Sequence, residues 1–135
     1  EMDSVYNNGL CDYVEFPRYL SGKSKSSYFR SAGIYVMCSY LEGFPMVVLE
    51  AWAYGIPVIT TPVGGMPDVI EEDENACQFD FGNVEQLAEK LDYLIKNYEL
   101  REHMSEYCRS FVREKFSLNI INKQLESIYS DLCQN

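Results

Sequence analysis

Up to residue 83, short apolar runs alternate with segments of helical period, and from residue 84 onward the period is helical throughout. Val14-Glu15-Phe16 reads as a short strand. Lys23 to Arg30 is rich in Ser and Lys and ends in Tyr28-Phe29, which fits a loop or a loop running into a short helix. Ile34-Tyr35-Val36-Met37-Cys38 is β-branched, aromatic and apolar on both faces, the pattern of a strand covered on both sides of a parallel sheet. Pro45 to Tyr54 predicts a helix, with Pro45 at its first position and Gly55 just past its end. Ile56 to Thr61 predicts a second buried strand, with Pro57 near its start where a missing N–H is tolerated. Gly64-Gly65 makes a turn, and Pro67 opens a short helix carrying Asp68 to Glu72. Cys77 to Phe81 alternates and predicts a last strand at a sheet edge.

Asn83 with Gln86 three residues on resembles a capping box, and Val84, Leu87, Ala88, Leu91, Leu94, Ile95 and Tyr98 mark one apolar face after it. Leu100, Met104, Tyr107, Cys108, Phe111 and Val112 mark a second helix; Ser117 caps a third, with Leu118, Ile121, Leu125, Ile128, Tyr129 and Leu132 on its face. Strands alternating with helices in short units predict an α/β fold around a parallel sheet, in which ligands bind at the carboxyl ends of the strands.

Composition narrows the function. The chain has 135 residues, enough for one domain and its own core. Hydrophobic residues make up 47% and aromatics 14%, which excludes a disordered chain. Lys+Arg 11 against Asp+Glu 21 leaves a net charge of -10, which argues against nucleic acid and against an anionic membrane surface as partners. No apolar run approaches the length of a membrane span, and no signal-peptide pattern opens the chain, so no direct membrane insertion is expected. Cys11, Cys38, Cys77, Cys108 and Cys133 are odd in number, widely spaced and without C-x-x-C, which predicts free thiols in a reducing cytoplasm and no metal site. His103, the one histidine, lies among charges on a helical stretch and reads as a surface residue.

Three motif-like strings carry no chemistry. Gly22-Lys23-Ser24 looks like the end of a P-loop, but the required upstream glycine position is Pro17. Asp80-Phe81-Gly82 spells the metal motif of kinases without its partner motifs. Glu71-Glu72-Asp73-Glu74 is a solvated acidic loop.

The helix from Met46 to Tyr54 is apolar all round except for Glu50. Such a helix is expected to be buried, and a buried carboxylate is costly unless something satisfies it. Glu50 stands only about 7–8 Å along the axis from Pro45, and its side chain leans toward the helix start, within reach of the sheet's carboxyl edge. Glu42 lies eight positions earlier on the preceding loop, and the backbone N–H groups around Gly43 to Val47 form an anion site at the helix start. Two carboxylates beside an anion site fit a polyhydroxylated, phosphorylated ligand such as a nucleotide-sugar. The residues alone leave the alternative open that Glu50 pairs with an Arg or a backbone N–H and binds nothing.

Ser39 to Ala51, S-Y-L-E-G-F-P-M-V-V-L-E-A, closely resembles the segment of family 4 glycosyltransferases in which two glutamates stand eight positions apart. Gly55-Ile56-Pro57-Val58-Ile59 is similar to that family's G-x-P-V-I strand entry, and Val63 to Ile70 to its GG-x-x-E loop. Glu85 to Leu94 and Phe116-Ser117 resemble its closing helices, and Asn83 to Leu91 in particular resembles the family's recurring d-x-e-x-L-a-x-x-L stretch. The similarity runs in order from about Cys11 onward.

The resemblance implies a Rossmann-like parallel sheet flanked by helices, the C-terminal half of a GT-B glycosyltransferase. Residues 1–135 would be a partial C-terminal nucleotide-sugar-binding domain, with 84–135 its closing helices. By the same resemblance Glu42 is the catalytic-site residue contacting the donor sugar, and Glu50 bonds the nucleotide ribose. Gly43, Phe44, Pro45, Met46 and Val47 bind the sugar and diphosphate, Pro45 by shape only. Pro17-Arg18-Tyr19 lies where the family's base pocket forms, although an ordinary surface loop fits these residues at least as well. The implied parent is a retaining hexosyltransferase acting without a bound metal or cofactor on a UDP-, GDP- or ADP-linked donor, in polysaccharide, lipopolysaccharide or glycolipid biosynthesis. A non-catalytic nucleotide-binding module, or a synthase or epimerase of the same fold, is the alternative.

The departures concern extent and detail. The Gly-containing strand and the Arg and Lys that clamp the diphosphate are not found before Val14, and residues before Cys11 look like the tail of a helix. The acceptor-binding half is expected as a missing partner, and this piece alone as catalytically inactive. The last helix is expected to dock on that half and so to expose apolar residues here. Ala76 stands for the family's Gly after Asn, Gly33 for its Asp before the strand, and Asp68 for its Glu after Gly-Gly.

Overall fold

A computed structural model describes residues 2–133, with side chains from residue 3. Where the sequence carries its two-sided apolar runs, the chain forms strands: β1 (Tyr35–Met37), β2 (Val58–Thr60) and β3 (Ala76–Gln78). They pair in parallel in the order β1-β2-β3, with Tyr35 opposite Val58 and Val58 opposite Ala76. The helices are α1 (Met2–Asn7), α2 (Gly22–Ser31), α3 (Met46–Ala53), α4 (Val84–Lys96), α5 (Tyr98–Lys115) and α6 (Leu118–Cys133).

Both faces of the sheet are covered, as the apolar runs require. Val58, Met37 and Ala76 pack with Val48, Ala51 and Trp52 of α3 and with Cys108 and Phe111 of α5. On the other face Ile59, Cys77 and Phe79 pack with Leu94 of α4 and Met104 of α5. Thus α5 serves both layers. Asn75 fixes the crossing into β3: its side chain accepts from Glu71 N–H (2.9 Å) and donates to the Val69 carbonyl (2.9 Å). Its carbonyl accepts the Trp52 indole N–H at 2.8 Å, which joins the loop to the core and satisfies a buried donor. At the end of α3, Gly55 adopts a φ of +74, with the Arg109 guanidinium packed against its Cα; that group also donates to the Tyr54 carbonyl at 3.1 Å.

Several expectations change. Val14-Glu15-Phe16 forms no strand, because β1 is the sheet edge and no ladder partner reaches this exposed segment. Lys23 to Arg30 lies wholly within α2. The helix at Pro67 is a single 3₁₀ turn, Met66–Asp68, and stops short of Glu72 because the chain turns to bring Asn75 inward. The last strand is edge-placed as expected but ends at Gln78, after which one bond, Phe79 N–H to Thr60 O (3.2 Å), continues the ladder. Tyr98 opens α5 instead of closing α4. Asn83 caps α4 by accepting the Gln86 N–H at 3.0 Å, and the Gln86 side chain accepts from Asp80 N–H (2.6 Å) in place of the cap residue itself. Leu118, Leu125, Ile128, Tyr129 and Leu132 of α6 are exposed, and none of its described residues is buried. Among the described residues no helix is long and apolar enough to cross a membrane.

Candidate functional site

Two loops leave the carboxyl edge of the sheet side by side, one from β1 (residues 38–45) and one from β2 (residues 61–65), and they lock together through backbone. Gly65 N–H donates to the Gly43 carbonyl at 2.8 Å. Gly64 has a φ of +60, and a Cβ there would stand 2.1 Å from the Gly43 carbonyl oxygen and 2.4 Å from that of Glu42. Only glycine permits this approach. A Cβ on Gly65 would likewise meet the Phe44 ring at 2.7 Å. The Gly-Gly pair, expected as a turn, is therefore also the seat of the Glu42 loop.

That seat orients the first carboxylate. Ser39 Oγ donates to Glu42 Oε1 at 2.7 Å. The Ser39 carbonyl is in turn held by Thr61 Oγ1 at 2.6 Å, and Thr61 N–H donates to the Met37 carbonyl at 3.2 Å. Glu42 is half-buried and fixed through one oxygen, which leaves the other for a ligand. Pro45 is buried and caps α3 with an extended ψ of 99, so Met46 and Val47 open the helix with N–H groups that have no carbonyl one turn behind them inside it. Phe44 stands 5.8 Å, ring to ring, from Phe116. Phe44, Met46, Leu49, Phe116, Leu118 and Ile121 line a groove of about 350 Å³ beside the helix start.

Glu50 is not buried. Its side chain is 45% exposed and forms an ion pair with Lys25 of α2, Nζ to Oε2, at 2.6 Å. The reason lies in the faces of α3. Val48, Ala51 and Trp52 turn inward, whereas Met46, Glu50 and Ala53, spaced four and three apart, are exposed together. Among the described residues the partner of Glu50 is thus a lysine, in place of the Arg or backbone N–H left open by the sequence. No local spacing along the sequence reveals Lys25 as a site residue, because its partner stands on another helix. Tyr35 joins the two carboxylates electrostatically: burial first, then Glu42, push its phenol above the ordinary value, Cys38 and Glu50 add to this, and Lys25 opposes it.

Thus Glu42, Gly43, Phe44, Pro45, Met46, Val47 and Glu50 lie on one continuous loop and helix start at the sheet's carboxyl edge. Arg18 and Tyr19 sit in an exposed loop, and among the described residues no strand comes before it. His103 is exposed and pairs with Glu74 at 2.8 Å. Among the described residues Glu72, Asp73 and Cys77 bring one potential ligand atom each within 4.8 Å of one another. Lys90 already holds Glu72 at 2.6 Å, and burial, then a hydrogen bond to Asp73, push the Cys77 thiol up to about 12, which disfavours the thiolate a metal needs.

The family model described as glycosyl transferases group 1 matches residues 2–111. A capsular polysaccharide biosynthesis glycosyltransferase, CapM of Staphylococcus aureus, is 36% identical over 104 residues, which are 77% of this chain and 27% of that protein. The solved C-terminal domain of a group 1 glycosyl transferase, LpcC of Francisella tularensis, superposes with a TM-score of 0.78 at 30% identity, covering 87% of this chain and 60% of that one. Anabaena HepE, solved in complex with UDP-glucose, shares the fold with a TM-score of 0.85 at 20% identity, over 96% of this chain and 35% of that one. The chain spans roughly a quarter to a third of the length of the curated relatives it matches.

Proposed function

This chain belongs to the glycosyl transferases group 1 family, and on that premise we propose that it is the donor-binding part of a glycosyltransferase that moves a sugar from a nucleotide-sugar to an acceptor with retention. Residues 1–135 form part of the C-terminal domain, 84–135 its closing helices, and an N-terminal half supplies the acceptor site. The observation that carries this reading is the pair of carboxylates, Glu42 and Glu50, set around the start of α3 by the locked Gly43–Gly65 loops.

The chemistry follows from the residues. The N–H groups that open α3 donate to the diphosphate, and the positive end of the helix stabilises charge developing on the leaving group. Glu42, with Oε1 held by Ser39, keeps its second oxygen for a hydroxyl of the donor sugar beside the reacting carbon. Glu50, one turn into the helix, accepts from the ribose hydroxyls. Phe44, Pro45, Met46 and Val47 shape the sugar's surroundings. The setting is cytoplasmic assembly of a polysaccharide, lipopolysaccharide or glycolipid, and the similarity to CapM, a glycosyltransferase of capsular polysaccharide biosynthesis, supports that class. Without the acceptor half the chain does not turn over.

Ligand-observed NMR against UDP, GDP, ADP and their sugar conjugates tests the site. One nucleotide is expected to bind, and Glu50→Ala to weaken it by about tenfold or more, the loss of a charge-assisted hydrogen bond. Binding that survives Glu50→Ala unchanged removes Glu50 from the site. Absence of binding to every member of the panel removes the donor role from this chain.

A further inference from the structure

The ion pair between Lys25 and Glu50 is unexplained by the fold. Its groups are 39% and 45% exposed, and pairs this open contribute little to stability. Yet the lysine is well placed. Its ammonium lies 5.7 Å from the centre of the Phe29 ring, and Phe29 stacks on Tyr54 (5.3 Å) and Tyr35 (6.2 Å). It also edges an apolar cavity of about 190 Å³ lined by Leu20, Tyr28, Phe29, Ala32 and Tyr35. An ammonium resting on an aromatic ring has less freedom than a free surface lysine, so its partner is held as well.

Charge gives this arrangement a purpose. The chain carries -10, and two carboxylates flank a site that must admit an anionic diphosphate. Like charges at such a site oppose entry of the ligand. An ammonium on Glu50 cancels one of the two.

We propose that Lys25 is a positioning residue of the donor site: it neutralises Glu50 and occupies Oε2, leaving Oε1 to accept the vicinal hydroxyls of a nucleoside diphosphate. This rests on the donor-site reading above. Lys25 acts through Glu50 and not on the ligand, so its effect vanishes once Glu50 loses its charge.

The test is a titration cycle on the full chain. Affinity for UDP, GDP and ADP is measured, and the tightest is carried through Lys25→Met, Lys25→Arg, Glu50→Gln and the double variant, with a urea midpoint for each. Lys25→Met is expected to weaken binding about tenfold with an unchanged midpoint, Lys25→Arg to restore it to within about threefold, and Lys25→Met to add nothing in the Glu50→Gln background. A merely structural lysine would shift the midpoint and leave affinity alone. Unchanged or tighter binding in Lys25→Met, with Glu50→Gln still weakened, overturns the proposal and leaves the donor reading standing. An equal loss in both backgrounds overturns it too, since Lys25 would then touch the ligand directly. If the unaltered chain binds none of the three diphosphates, the donor reading itself fails and this proposal with it.

Discussion

Gly64→Ala is the sharpest probe of how the fold builds the site. The substitution meets two obstacles. The residue has a φ of +60, and its new Cβ would fall 2.1 Å from one carbonyl oxygen and 2.4 Å from another, both backbone atoms that cannot rotate away. Forcing an L-residue into the left-handed region costs about 1–2 kcal/mol. Relieving the clash separates the two loops and breaks the 2.8 Å bond from Gly65 N–H to the Gly43 carbonyl. A lost hydrogen bond adds about 1 kcal/mol. The sum is roughly 3 kcal/mol, which for a domain of this size lowers Tm by roughly 10 °C. Trp52, the one tryptophan and fully buried, reports unfolding in urea by its fluorescence. Gly33→Ala is the control, since Gly33 has no positive φ and nothing within 4 Å of a Cβ. It should leave stability within about 0.5 kcal/mol of the unaltered chain. Because Glu42 rides on the displaced loop and faces the donor sugar, Gly64→Ala should also lose nucleotide-sugar binding at temperatures where the chain is still folded. Equal stability of the two alanine variants would refute the close approach, and retained binding in a destabilised Gly64→Ala would refute the link between this seat and Glu42.

Two further outcomes follow from the same structure. Thr61→Val keeps the shape of a fully buried side chain but removes the 2.6 Å bond to the Ser39 carbonyl; it should cost about 1–2 kcal/mol in urea unfolding and weaken nucleotide-sugar binding, while Thr61→Ser preserves both. The buried thiols of Cys77 and Cys108 are each pushed up to about 12, chiefly by burial, from an ordinary value near 9. The unfolded chain therefore releases these protons first, so stability is full below about pH 8.5 and declines as pH rises toward 12. Urea midpoints at pH 7.5 and 10 check the sign, and an iodoacetamide count at pH 8 should find Cys11, Cys38 and Cys133 reactive before Cys77 and Cys108. A midpoint that rises with pH, or early alkylation of the buried pair, contradicts this account.

The legible parts of this fold are those whose cause is local or periodic. Ile56 to Thr61 reads as a strand because both of its faces are apolar, and both are covered. The Asn83 cap reads from two residues three apart, and its bond from the Gln86 N–H forms while the Gln86 side chain turns to Asp80. The illegible parts depend on what lies across space. Val14 to Phe16 has strand propensity, but a strand exists only with a neighbour, and none of the described strands reaches it. On α3 the periodicity was uninformative because every position but Glu50 is apolar, so no polar stripe marks which face is open; the packing of Trp52 against Asn75 and Phe111 decides it. The Lys25–Glu50 pair joins two helices 25 positions apart, and only the assembled fold brings it together.

The candidate site differs in kind from the core that supports it. Along the core, a change of side chain is felt by its neighbours in proportion to volume. At the carboxyl edge the position of Glu42 is carried by a relay of backbone groups and one side-chain hydroxyl: Met37 O to Thr61 N–H, Thr61 hydroxyl to Ser39 O, Gly65 N–H to Gly43 O. None of these groups belongs to the helix that Glu42 precedes. The loop after β2 therefore sets the geometry of the carboxylate on the loop after β1, through two glycines without side chains and the hydroxyls of Thr61 and Ser39. A motif read along the chain as two glutamates and a helix is, in three dimensions, two adjacent strand ends joined through backbone. The spacing between the glutamates fixes their separation along α3. The neighbouring loop and Lys25 fix their directions, so substitutions outside the motif should alter ligand affinity as strongly as many within it.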